Sequence, residues 1–124
     1  MSEEKDKELR NIKGLSPIRK DGSGLRIGIV RARWNDEVVT SLTDGCRMEL
    51  LKCGVKEEDI IEWKVPGSYE LPLGGLKMIQ KEKVDAVVCI GTLIKGETMH
   101  FEYIAEAVTQ GIMRLNIDHE IPVM

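Results

Sequence analysis

Short apolar runs that alternate with stretches of helical periodicity set the strongest limit on what this chain can fold into. Leu25-Arg26-Ile27-Gly28-Ile29-Val30, Ile60-Ile61-Glu62-Trp63-Lys64-Val65 and Ala86-Val87-Val88-Cys89-Ile90 read as buried strands, the first followed by the loop Arg31-Ala32-Arg33-Trp34 and the second broken sharply by Pro66-Gly67. Between the first two lies a helix with a stripe of Val39, Leu42, Cys46, Leu50 and Cys53, capped by Asn35 or Asp36 and stopped at Gly54. A shorter helix is predicted over residues 69–81, with Pro72 tolerable in its first turn and Gly74-Gly75 allowing close approach to a sheet. A third helix buries Phe101, Ile104, Ala105, Val108, Ile112 and Leu115 on one face, and Ile121-Pro122-Val123-Met124 opens a fourth strand. Strand and helix alternating at this spacing mean βαβ crossovers and a mostly parallel sheet covered on both faces.

With 124 residues, 42% of them apolar and 31% charged, the chain has room for one globular domain with a real core. A net charge of −3 and 4% aromatic residues provide no basic, base-stacking surface, so no nucleic-acid partner is expected. No apolar run approaches the length of a bilayer span, and the segment from Ser2 to Glu8 lacks the hydrophobic core of a signal peptide. The expectation is a cytoplasmic protein without a membrane partner. Cys46, Cys53 and Cys89 are odd in number and lack CxxC spacing, so neither a disulfide framework nor a metal site with His100 and His119 is expected. Residues 1–24 alternate charge with little hydrophobicity and end in Asp21-Gly22-Ser23-Gly24, which predicts a flexible arm ahead of a domain over 25–124.

In parallel sheets ligands bind beyond the carboxyl ends of the strands. Three chemically loaded clusters fall there: Arg33-Trp34-Asn35, Gly67-Ser68-Tyr69-Glu70, and the stretch from Thr92 to His100. Trp34 fits two roles, stacking on a planar heterocycle or lidding the core, whereas Trp63 lies inside a strand and is expected to pack. Ser68 and Glu70 suit either a helix start or a polyhydroxylated ligand, with Glu70 as acceptor. Gly96, Glu97 and Thr98 precede a helix, where free N–H groups, the dipole and Lys95 favour a phosphate or carboxylate, and His100 stands beside them as proton carrier. Read without a ligand, Thr98 is an N-cap, Gly96 a turn residue and Lys95 a solvated charge.

Ala32-Arg33-Trp34-Asn35, then Val65-Pro66-Gly67-Ser68-Tyr69-Glu70-Leu71-Pro72, then Gly91 through Tyr103 resemble the signature stretches of lumazine synthase, above all its fungal-type members. Three long motifs in order are far more specific than a single glycine loop. The resemblance covers about residues 25–124 and implies a three-layer α/β/α sandwich of flavodoxin-like topology. It implies condensation of 5-amino-6-(D-ribitylamino)uracil with 3,4-dihydroxy-2-butanone 4-phosphate to 6,7-dimethyl-8-ribityllumazine, the step before riboflavin, without cofactor or metal. Carried over by position, Trp34 stacks on the uracil, with Asn35 beside it among the substrate-binding residues. Ser68, Tyr69 and Glu70 hold the pyrimidine and ribityl chain, and Thr92, Leu93 and Ile94 line the ring's edge. Gly96, Glu97 and Thr98 bind phosphate and His100 moves protons. The partners implied are two small-molecule substrates and further copies of the chain, in a pentamer with sites between subunits.

Family members continue past the position of Met124 with the rest of the fourth strand and two helices. The domain is therefore expected to be incomplete at its C-terminus, and a protein ending at Met124 to be poorly soluble or unable to close a pentamer, with little turnover. A truncated, catalytically weak flavin- or lumazine-binding or assembly module is the competing reading, and an unrelated flavodoxin-like phosphate-binding domain a third.

Overall fold

The computed structural model describes residues 20–124. Three parallel strands, β1 (Ile27–Ala32), β2 (Ile60–Val65) and β3 (Ala86–Ile90), form a sheet in the order β2-β1-β3. Three helices surround it, α1 (Asp36–Lys52), α2 (Leu71–Glu82) and α3 (His100–His119). Single 3-10 turns at Glu57–Asp59 and Ser68–Glu70 lead into β2 and α2. Of the predicted arm, residues 1–19 lie outside the described residues. Residues 20–24 turn against the end of α1, where Gly22 N–H donates to the Cys53 carbonyl at 2.6 Å.

The central strand is buried along its whole length, and its side chains divide between two cores. Ile27 and Ile29 pack with Val39, Val55, Ile60 and Ile90 under α1. Val30 packs with Leu71, Met78, Val87 and Leu115 under α2 and α3, where Trp63 also packs, as expected for a strand tryptophan. These two cores on opposite faces make the three-layer α/β/α sandwich anticipated from the alternating pattern. The glycines of α2 let it lie against the sheet: a Cβ on Gly74 would stand 2.6 Å from Val30 Cγ1 and 2.8 Å from Val65 Cγ1. Cys89 faces the same layer, and burial pushes its thiol up to about 11, so it behaves as a small hydrophobe.

Three details differ from the sequence reading. The first strand runs from Ile27 to Ala32 rather than from Leu25 to Val30, because Arg31 and Ala32, read as loop, are buried and paired with Lys64 and Val65. On α1, Leu42 is 51% exposed and Thr43, 2% exposed, takes the inward position; its hydroxyl is satisfied by the Val39 carbonyl at 2.7 Å. Asn35 occupies the N-cap position of α1 with φ 58° and makes no side-chain cap bond, so neither it nor Asp36 caps in the predicted way.

The segment after α3 returns to the open side of β3. Val123 bridges Val87 in parallel, Val87 N–H donates to Pro122 O at 2.9 Å and Cys89 N–H to Met124 O at 2.6 Å. Asn116 holds this segment with its amide, accepting from Val123 N–H at 2.9 Å and donating to Val123 O at 2.8 Å. A fourth parallel position thus begins where the sequence placed it, giving the 2-1-3-4 order of a flavodoxin-like sheet.

Candidate functional site at the strand ends

The strand order brings the predicted clusters together. β2 and β3 flank β1, so the loops leaving all three carboxyl ends rise from one edge of the sheet, beside the point where the connections diverge to opposite sides. The β1 exit is bonded to the β2 exit by Arg33 N–H to Val65 O at 2.7 Å and Trp34 N–H to Pro66 O at 3.0 Å. The β2 exit is bonded to the β3 exit in turn, because the buried Ser68 hydroxyl donates to Thr92 O at 3.2 Å. Gly91 permits that approach; a Cβ there would overlap Ser68 Oγ and stand 3.0 Å from Leu71 Cδ1. The three loops therefore form one hydrogen-bonded rim.

Inside the rim lies a cleft of about 420 Å³ lined by Trp34, Pro66, Gly67, Ser68, Tyr69, Glu70, Thr92, Leu93, Ile94, His100, Phe101 and Ile104. That volume and a mostly apolar wall with a few polar groups are typical of a small-molecule site. Two of the polar groups carry buried atoms without a hydrogen-bond partner, Glu70 Oε2 and Thr92 Oγ1. Buried acceptors of this kind are costly in a folded chain and cheap once a ligand hydroxyl or N–H meets them. Trp34, 49% exposed, and the exposed Tyr69 and Ile94 leave ring and aliphatic surface open at the mouth.

Most predicted site residues share this wall. Asn35, Gly96, Glu97 and Thr98 do not line it: Asn35 begins α1, and the other three form the exposed approach to α3. Thr98 Oγ1 accepts from His100 N–H at 3.3 Å, which satisfies one of the free donors of α3 from the position before its Met99 cap. Lys95 pairs with Glu102 and lies 5.7 Å from the Phe101 ring centroid, tying this approach to the first turn of the helix. Sequence reasoning assigned Phe101 and Ile104 to the helix core face and Pro66 to a break, yet all three line the cleft. Pro66 directly follows β2, and Phe101 and Ile104 lie in the first two turns of the helix that follows β3; that placement was the signal available.

The profile of the family described as 6,7-dimethyl-8-ribityllumazine synthase matches residues 24–124. Among curated relatives so named, the protein of Schizosaccharomyces pombe is 48% identical over 114 residues, covering 91% of this chain and 72% of its own. That of Pyricularia oryzae is 38% identical, over 90% of this chain and 74% of its own. That of Flavobacterium johnsoniae is 46% identical, over 90% of this chain and 57% of its own. The chain thus spans 57% to 74% of the length of these three relatives. Motifs, sheet order and matches coincide over the same stretch of sequence, and on that basis the chain belongs to the 6,7-dimethyl-8-ribityllumazine synthase family.

Proposed function

We propose that the protein condenses 5-amino-6-(D-ribitylamino)uracil with 3,4-dihydroxy-2-butanone 4-phosphate to 6,7-dimethyl-8-ribityllumazine, the penultimate step of riboflavin biosynthesis. The observation that carries this reading is the cleft wall, in which an exposed indole, Trp34, faces a site that also holds the unpartnered Glu70 and Thr92 oxygens. A planar pyrimidine needs a flat apolar face, and its ribityl chain needs acceptors. Trp34 stacks on the ring, Ser68, Tyr69 and Glu70 hold the pyrimidine and ribityl chain, and Thr92, Leu93 and Ile94 follow the ring edge. Asn35 supports the substrate through the turn it shares with Trp34.

The reaction asks little of the side chains. The primary aromatic amine attacks the ketone and expels water to form an imine; phosphate is eliminated; the second nitrogen closes the ring with loss of another water. Holding two reactants in register supplies most of the acceleration. Gly96, Glu97 and Thr98 carry the phosphate on backbone N–H groups ahead of α3, and His100, on the cleft wall at the first position of that helix, moves the protons. No metal or cofactor takes part in this scheme.

The proposal concerns the whole protein, in which 25–124 is the lumazine synthase-like domain and 1–24 an arm. Its copies assemble as a homopentamer with sites between subunits, in the cytoplasm. No helix among the described residues is long and apolar enough to cross a membrane, and all three cysteines are free thiols, which accords with a reducing compartment. The test is formation of the lumazine chromophore from the two substrates. Saturable, enzyme-dependent product formation supports the reading, and product at the uncatalysed rate at every protein concentration overturns it.

A further inference from the structure

Arg31 is the only charged residue buried among the described residues, 3% exposed on the sheet's central strand. Its Nη2 donates to Asp36 Oδ1 at 2.7 Å and to Thr40 Oγ1 at 3.0 Å, while its Nε is buried without a partner. A guanidinium with an unmet donor is a poor way to fill a core, since a hydrophobic residue of similar volume would avoid the desolvation cost. The pair it makes brackets the turn at Arg33-Trp34-Asn35. On the strand side that turn is secured by its two backbone bonds to Val65 and Pro66; on the helix side Asn35 is left-handed and offers no side-chain cap. The missing fastening of the first turn of α1 is supplied by Arg31.

We propose that Arg31 is a positioning residue of the cleft: by clamping Asp36 and Thr40 across the turn, it fixes the Trp34 indole in the orientation that receives a planar ligand. The inference rests on the stacking role assigned to Trp34, and it deepens that role by naming what aims the ring. Trp34 is about half exposed, so packing alone leaves it rotational freedom. The Asp36 side chain is 68% exposed, so removing Arg31 strands no buried charge, and the variant tests orientation rather than folding.

The experiment uses Arg31→Met in the full chain, in a Trp63→Phe background that leaves Trp34 as the only tryptophan. Without ligand, acrylamide quenching and emission anisotropy report the freedom of Trp34. With substrates, KM for the ribitylaminouracil is compared with KM for the butanone phosphate. The expected result is a folded protein whose Trp34 has lower anisotropy and is quenched more readily. Its aminouracil KM should rise roughly tenfold, equivalent to about 1.4 kcal/mol, with the butanone phosphate KM nearly unchanged. Should Arg31→Met fail to fold, the single variant Asp36→Ala, which opens the clamp at an exposed side chain and leaves Thr40 as a partner of the guanidinium, is read in the same way. Unchanged Trp34 freedom, or equal losses for both substrates, overturns the proposal. Absence of any aminouracil binding by the unmodified protein instead defeats the functional reading, and the ligand-free Trp34 signals still decide the role of Arg31.

Discussion

Glu70 and His100 stand on the same cleft wall, but only Glu70 has a buried oxygen left unpartnered; His100 is exposed at the start of its helix. The contrast separates recognition from chemistry. A buried acceptor is worth most in the ground-state complex, whereas an exposed imidazole contributes when a proton moves in the transition state. His100→Ala is therefore expected to lower kcat by about a hundredfold with KM changed less than about threefold, measured by steady-state lumazine formation. A large rise in KM with kcat preserved would remove His100 from the proton-transfer role. At this scale the sequence singled out Trp34, Glu70 and His100, and all three line the cleft, whereas Asn35, Gly96, Glu97 and Thr98, singled out beside them, do not. It was uninformative about Arg31, which looked like a loop charge and proves to be buried, because no residue pattern announces a guanidinium fork paired five and nine positions further along.

The elements were legible to the extent that burial follows periodicity. β2 and β3 fall on the apolar runs that predicted them, since both are short and bounded by strong turn signals. β1 was displaced by two residues, because a strand buried on both faces has no alternation to fix its ends and Arg31 broke the apolar run. The inward stripe of α1 was misjudged at Leu42 because hydrophobicity alone favoured leucine over its neighbour Thr43, whose hydroxyl is satisfied within the helix. The glycine pair of α2 was read correctly as a packing device, and this supports a quantitative expectation. Gly74→Ala places a methyl between Val30 and Val65, two β-branched side chains with little freedom to move, against a small gain in helix propensity. A net destabilisation of about 1–3 kcal/mol is expected, seen as a lower urea midpoint with an unchanged slope. An unchanged or higher midpoint would mean that α2 does not lie as close to the sheet as described.

For the molecule as a whole, the parallel order β2-β1-β3, with residues 122–124 beside β3, gathers three loops that are far apart in sequence, and the cleft exists only because of that order. Such an edge was predictable from the rule that ligands sit beyond strand carboxyl ends; the hydrogen-bonded rim through Ser68 and Gly91 was not, because it depends on side-chain contacts between loops. Tyr103, Met113 and Ile117 leave large apolar side chains exposed on α3, as does Leu73 on α2. Side chains left open in this way are available for contact with another protein surface. The homopentamer proposed above for the whole protein predicts a native mass five times that of its subunit, persisting at high salt because the contact is apolar; a monomeric native mass of the whole protein at micromolar concentration would contradict it. Whether this cleft receives a planar ribitylated pyrimidine against Trp34 is decided by titrating 5-amino-6-(D-ribitylamino)uracil into Trp63→Phe protein while following Trp34 emission, with calorimetry on Trp34→Ala alongside. Saturable quenching by the aminouracil is expected, with roughly tenfold weaker aminouracil binding in Trp34→Ala and butanone phosphate affinity unchanged; binding that leaves Trp34 emission unaltered, or equal affinity with and without the indole, would contradict stacking on Trp34.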